Sequence, residues 1–486
     1  MAAISEYDLF IDGQVCRSDD RYEQTYPYTG EVVARIARAN AEHIDAAIGA
    51  ASRAFEVTRR FSRARRAELL TAIAQAIAER RAEFARAITY CTGKPISYAR
   101  AEVSRSVGVF TLAAEEAKRF GGRYEPLDFD PARPAALGMV ERFPIGPITA
   151  IAPFNFPLNL VSHKVAPALA TGNTLIVKPP PQCPAPALML AEIATAAGAP
   201  PGAVNVISAD PPVAERLVTD DRVKMLLFTG STRVGWSLRD KAGRKRVTLE
   251  LGGNGGLIVD EDVDLELAAR QAARGAFVHA GQVCLSVQRI FVHHKVYDRF
   301  LKHFVDETER FPIGDPMDDK TLAGPLIDNA AADRVMNWIA EAQTAGAPIL
   351  TGNRRQGTVV APTIIETRES RFHRLRVWCE EVFGPVATVE PVESFAAAVR
   401  EVNDSPYGLQ AGVLTNNLEH AILAFREIDA GAVIVGETGV FRVDSYPFGG
   451  VKDSGTGREG VRYAMESMTE PKMLVLNVPG ALSAGR

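Results

Sequence analysis

"VKMLLFTG" at 223–230 runs straight into "STRVGWSLRDKAG" at 231–243. An apolar run of strand length breaks at a glycine and gives way to a helical stretch that closes on another glycine. The same alternation recurs upstream in "ITAIAP" (148–153), "TLIVKP" (174–179) and "AVNVIS" (203–208), with "ALMLAEIATAAG" as a second linking helix. Strands that alternate with helices are joined by crossovers and lie parallel, so the pattern predicts a doubly wound α/β sheet of the Rossmann type. Such sheets bind ligands outside the carboxyl ends of their strands.

Working outward, residues 40–120 read as helices, with Ala46, Ala50, Ala54 and Leu69, Ile73, Ile77 at helical spacing. "RYEPLDFDPARPAALGMVERFP" at 123–144 carries Pro126, Pro131, Pro134 and Pro144 and reads as an extended surface stretch. A second α/β series starts near "NGGLIVD", passes through "RIFVHHKVYDRFLKHFVDETERF" and ends in "YPFGGVKDSGTGREG". The expected units are a dinucleotide-binding domain (1–122 and 145–251) and a catalytic domain (252–455). Residues 123–144 and 456–486 form an oligomerisation arm and C-terminal segment.

With 486 residues, 47% hydrophobic and 23% charged, the chain has enough apolar surface for a large core spread over two or more units. A net charge of -4 with scattered Lys and Arg leaves no footprint for nucleic acid. Five cysteines at wide spacing, with no Cys-x-x-Cys, predict a reducing compartment and no metal site. "MAAISEYDLFIDGQ" lacks the features of a signal peptide, and no apolar run is long enough for a membrane span, so a cytoplasmic location is expected.

Four strings carry chemistry. Cys284 lies in "HAGQVCLSVQRI", where the glycine permits close backbone approach, although an isolated cysteine is more often a buried small hydrophobe than a nucleophile. Glu250 in "LELGGNGG" is followed by four glycines, which leave its carboxylate little surrounding bulk. Asn155 in "APFNFPLN" follows a strand between Phe154 and Phe156 and offers an amide to a developing oxyanion, or else forms an Asx turn. In "FTGSTRVG", Gly230, Ser231 and Gly235 open a helix whose free amides suit a phosphate, and Lys178 emerges at the carboxyl edge of the same sheet.

In order, "FNFPLN", "TGNTLIVKP", "FTGSTRVG", "LELGGN", "GQVC", "EEVFGPV" and "PFGGVKDSGTGRE" resemble the aldehyde dehydrogenase superfamily over nearly the whole chain. "FRVDSYPFGGVKDSG" with "GQVCLSVQRI" resembles the branch of lactaldehyde, glyceraldehyde and short-chain semialdehyde dehydrogenases. The resemblance implies NAD or NADP as cofactor and Cys284 as the nucleophile. Asn155 and the Cys284 N–H would form the oxyanion site, with Glu250 as the base that hydrolyses a thioester. It further implies that Lys178 and Glu381 bind ribose hydroxyls, that Phe383 supports the Glu381 loop and that Ser231 contacts the pyrophosphate. Pro181 stands where many NAD-preferring relatives carry an acid, which leaves NADP admissible.

Alignment from Asn155 and Phe448 places His163 and Arg442 at the aldehyde tunnel, and the helix before the arm offers Arg105 near its mouth, where the three would hold an anionic tail. Val283 stands where binders of phosphorylated aldehydes carry arginine, so a neutral hydroxyaldehyde and an anionic semialdehyde both stay open. The rivals are a CoA-acylating dehydrogenase and a catalytically silent structural homologue. An apolar terminal strand, "KMLVLNV", predicts a homodimer or homotetramer.

Overall fold

The computed structural model describes residues 4–129 and 136–477. Its centre is an eight-stranded sheet whose five inner strands are parallel. They run in the order Arg246–Glu250, Met225–Thr229, Pro147–Ile151, Thr174–Lys178, Val204–Val206. The chain builds outward from Pro147–Ile151 first to one side and then to the other, so the switch point lies between that strand and Met225–Thr229. The loops bearing Asn155 and Gly230 leave the carboxyl ends of those two strands. The outer positions are antiparallel: Leu9–Ile11 and Gln14–Cys16 on one edge and Gly455–Thr456 on the other.

After five short strands within residues 5–37, four helices follow, Ala41–Thr58, Arg63–Glu79, Arg81–Thr92 and Ile96–Arg119. Asn40 and Ser62 cap the first two through their side chains, satisfying amides that the first helical turn leaves bare. Ile73, Ile77 and Ala54, at the spacing read from the sequence, bury their stripe in one core with the sheet.

A second, seven-stranded sheet runs Ile349–Thr351, Thr363–Glu366, Val386–Val392, Val287–His293, Gly255–Val259, Gln410–Leu414, Ala432–Val435, parallel except at its first pair. It has its own core around Phe277, Phe300 and Phe304. "YPFGGVKDSGTGREG" does not stay within this unit. Gly455–Thr456 pairs with Arg246–Glu250, and Val461, Ala464, Met465 and Met468 fill the first core. Only Thr469–Leu476 joins the arm, where it pairs along its whole length with Leu137–Pro144, itself paired with Arg123–Pro126. Pro131 and Pro134 lie outside the described residues. Among the described residues no helix is long and apolar enough to cross a membrane.

Candidate active site

The first sheet presents the carboxyl ends of its strands to the amino ends of the second, and the residues singled out above meet there. Cys284 precedes the strand Val287–His293 on a tightly folded loop. His279, Ala280 and Gly281 all adopt left-handed backbone (φ 52°, 53° and 67°), a conformation that costs a non-glycine residue about 1–2 kcal/mol. A Cβ at Gly281 would lie 2.1 Å from the Gly384 carbonyl, which explains the glycine of "GQVC". Gly253 meets the same limit, 2.5 Å from the Cys284 carbonyl.

Asn155 is buried, and its Nδ2 donates to the Gln282 carbonyl at 3.1 Å, tying the loop from the first sheet to the cysteine loop. One amide hydrogen remains available for an oxyanion. Burial, followed by the Glu381 carboxylate, pushes the Cys284 thiol up to about 12, and Arg442 opposes that shift. Glu250 ends its strand fully enclosed, and neither carboxylate oxygen has a hydrogen-bond partner among the described residues. Burial and then Glu459 hold its pKa well above the ordinary carboxylate range. A cavity of about 10 Å³ touches Glu250, Lys164 and Glu459, about the space a single water needs. Lys164 Nζ donates to Glu459 at 2.8 Å and to Thr229 at 2.7 Å.

Lys178 ends its strand on a cavity of about 560 Å³ shared with Val234, Ser237 and Leu238 of the helix Thr232–Lys241. Burial lowers the ammonium pKa of Lys178, with Asp210 opposing. At the start of that helix Ser231 makes no capping bond, and the Thr232 hydroxyl is buried without a partner, so donors stand free where a pyrophosphate fits. Gly230 and Gly235 serve packing: added Cβ atoms would strike Phe228 at 2.6 Å and Leu251 at 2.3 Å. Glu381 accepts from the Gly253 N–H at 3.1 Å, and burial raises its pKa to about 7. Phe383, at φ 45°, sets its ring edge-on to Phe154 at 5.8 Å. Pro181 shares a smaller cavity with Lys178, Tyr22 and Arg38.

The family's sequence profile matches residues 15–474. The chain belongs to the aldehyde dehydrogenase family. It is 40% identical over 479 residues to a 3-sulfolactaldehyde dehydrogenase of Priestia aryabhattai, covering 98% of this chain and 99% of that protein. It is 37% identical over 474 residues to a lactaldehyde dehydrogenase of Methanococcus maripaludis, covering 96% and 100%. Among solved structures, aldehyde dehydrogenase 21 of Physcomitrella patens, in complex with its reaction product succinate, superposes with a TM-score of 0.96. The two are 38% identical, with 99% of this chain and 100% of that chain covered. This aldehyde dehydrogenase is therefore an NAD(P)-dependent oxidoreductase.

Sequence reasoning missed Lys164, Glu459, Arg38 and Asp444. Lys164 and Glu459 are 295 positions apart and become one ion pair only through the fold. Glu459 lay within the quoted "SGTGREG", but a glutamate among glycines gives no hint of a buried lysine.

Arg105, His163 and Arg442 do converge, and Arg442 lies 3.7 Å over the Phe448 ring. His163 and Arg442 are withdrawn from water, while Arg105 keeps about 30% of its side chain exposed. His163 Nε2 lies 2.9 Å from Asp444 Oδ1, Arg105 holds both oxygens of Asp444, and Arg442 donates to Glu459 at 3.1 Å.

Proposed function

We propose that this enzyme oxidises a small aldehyde carrying an anionic tail to its carboxylic acid through a thioester on Cys284. The observation that carries this reading is the convergence of Arg105 and His163 on one carboxylate, with Arg442 beside it, in a cradle adjoining the apolar wall around Cys284. Two guanidinium groups and an imidazole match a carboxylate or sulfonate in shape and charge. The Priestia relative is named for a sulfonated aldehyde, and the product bound to the Physcomitrella enzyme is a dicarboxylate.

In the proposed chemistry, Cys284 gives its thiol proton to solvent and its Sγ bonds to the aldehyde carbon. The oxyanion accepts hydrogen bonds from Asn155 Nδ2 and the Cys284 N–H. Lys178, Ser231, Glu381 and the start of the helix Thr232–Lys241 would hold the dinucleotide. Bound there, the dinucleotide would supply the hydride acceptor for conversion of the cysteine adduct to the thioester. Water then attacks the thioester carbon, Glu250 takes the water proton, and the acid leaves with the thiol restored. A carboxylate with a raised pKa is the stronger base once ionised. We assign the three-stranded sheet of Thr469–Leu476, Leu137–Pro144 and Arg123–Pro126 to contacts between copies of the chain, and place the enzyme in the cytoplasm.

The test is a kinetic panel of semialdehydes and sulfonated aldehydes against neutral hydroxyaldehydes of the same length, on wild type and Arg105→Ala. The KM for the anionic set rises about ten-fold or more in the variant, while the neutral set changes far less. Equal effects on both sets remove the anion site. Cys284→Ser abolishes turnover and leaves dinucleotide binding in place. Glu250→Gln stalls at the thioester, and unaltered steady-state turnover in that variant would count for a CoA acceptor instead of water.

A further inference from the structure

The group that the basic cradle holds belongs to the protein itself. Asp444 lies on the irregular segment between the strands Ala432–Val435 and Val451–Lys452. Its Oδ1 accepts from Arg105 Nη2 at 2.6 Å and from His163 Nε2 at 2.9 Å, and its Oδ2 accepts from Arg105 Nε at 3.2 Å. Arg442 Nε stands 3.8 Å from Oδ1. Burial works against charge on Asp444, but the hydrogen bonds from His163 and Arg105 outweigh it and hold the carboxyl well below the ordinary range. His163 Nδ1 and Arg442 Nε are buried without partners, so the cradle retains unused polar capacity. The Arg105 guanidinium lies 5.9 Å from the Phe156 ring centre, and Phe156 packs with Tyr446 in the apolar cluster that contains Cys284.

We propose that Asp444 is a specificity-determining residue, an internal ligand that competes with the substrate's anionic tail for Arg105 and His163. This rests on the anionic-substrate reading above. Both oxygens of Asp444 occupy the arginine fork, and a second anion there meets a like charge at contact distance. An anionic tail therefore enters as Asp444 leaves. Asp444 sits in neither helix nor strand, and its neighbours Phe441 and Val443 are exposed, so its segment is held by few packing contacts on that side. A neutral hydroxyl tail has no need to displace it, because a hydroxyl donates to a carboxylate. Asp444 thus sets the ratio between the two substrate classes. A cradle occupied about nine-tenths of the time lowers the apparent affinity of an anionic ligand about ten-fold.

Asp444→Asn removes the charge and keeps the shape. Two quantities are read: the ratio of kcat/KM for succinic semialdehyde over lactaldehyde, and the affinity of the resting enzyme for succinate by calorimetry. Both rise about ten-fold in the variant, the first through KM. Asp444→Ser reads the same quantities if the asparagine variant loses its cooperative melting transition. Weaker succinate binding in the neutral variants, or an unchanged ratio, overturns the proposal; the former would make Asp444 a positioning residue for Arg105. Arg105→Ala keeps the two ideas separate. If it harms both aldehydes equally, the anionic reading itself fails. If it harms succinic semialdehyde alone while Asp444→Asn brings no gain, only the competition fails.

Discussion

Glu250 and Glu459 are two buried carboxylates under the influence of the same two cations, yet their environments drive them apart. Glu459 receives Lys164 and Arg442 directly, and against burial these hold it ionised. Glu250 has no such contact, and burial and then the charge on Glu459 raise its pKa. Glu459→Gln removes that charge and frees both cations, so the Glu250 pKa falls. The rising limb of thioester hydrolysis then moves toward acid. Single-turnover deacylation across pH reads this directly, and a limb that stays put or moves toward base sinks it. Cofactor choice is argued at the same scale. Arg38 stacks 5.0 Å from the Tyr22 ring and lines the Lys178–Pro181 cavity, so two cations, opposed by Asp210 but by no acid at position 181, border the place where a 2′-phosphate would lie. Pro181→Glu and Arg38→Ala each lower kcat/KM with NADP relative to NAD by about ten-fold or more, the worth of one partly desolvated charge contact. A native enzyme confined to NAD would contradict this. Lys178 and Pro181 were legible because strand, lysine and proline are contiguous in sequence. Arg38 was not, because it reaches the cavity from 140 positions upstream.

At the scale of elements, the helix Asn159–Thr171 is buried along its entire length, and its N-cap is Leu158, which has no side-chain acceptor. Glu102, from the helix Ile96–Arg119, supplies the cap: its Oε1 accepts from the Leu158 and Asn159 amides at 2.9 and 3.0 Å. Its other oxygen takes Lys94, which is itself buried and lies 3.7 Å from the Phe156 ring. One carboxylate thus fixes the end of the loop that carries Asn155. Glu102→Gln leaves a buried ammonium uncompensated and costs about 3–5 kcal/mol, read as a lower denaturant midpoint at unchanged slope. It also lowers kcat, because the oxyanion amide loses its support. A variant with native stability and a normal kcat would show that the pair carries neither load. Helical periodicity revealed the amphipathic helices of residues 40–120, whose stripe is confined to one face. It is silent on a helix buried all round and capped from elsewhere, since neither feature leaves a period or a local capping residue.

On the scale of the whole molecule, the return of Gly455–Thr456 and of residues 461–468 to the first core means that the two α/β units are not consecutive beads. The chain visits the first, builds the second and comes back. Sequence patterning placed a boundary near 455 because glycines cluster there, yet those glycines serve close approaches to Glu250 and its strand. What then projects is the three-stranded antiparallel sheet. Such a sheet is stable in water when one face is covered. Here Met473 and Val475 point to one face and Leu474 and Leu476 to the other, and all four are exposed, as are Leu137 and Met139 on the partner strand. Leu418, Ile422 and Phe425 add a second bare stripe along one face of the helix Leu418–Glu427. A single copy leaves these surfaces in water, and the closed symmetric association proposed for the arm would cover them. Wild-type enzyme therefore sediments as a homodimer or homotetramer at micromolar concentration. Leu474→Glu with Leu476→Glu places two charges on one face of the arm and drops the assembly to a smaller species. The Cys284 site, distant in sequence and built from other elements, retains its alkylation by a thiol reagent. Sedimentation velocity on both proteins decides the matter: a monomeric wild type, or an unchanged mass in the double variant, removes the arm from the interface.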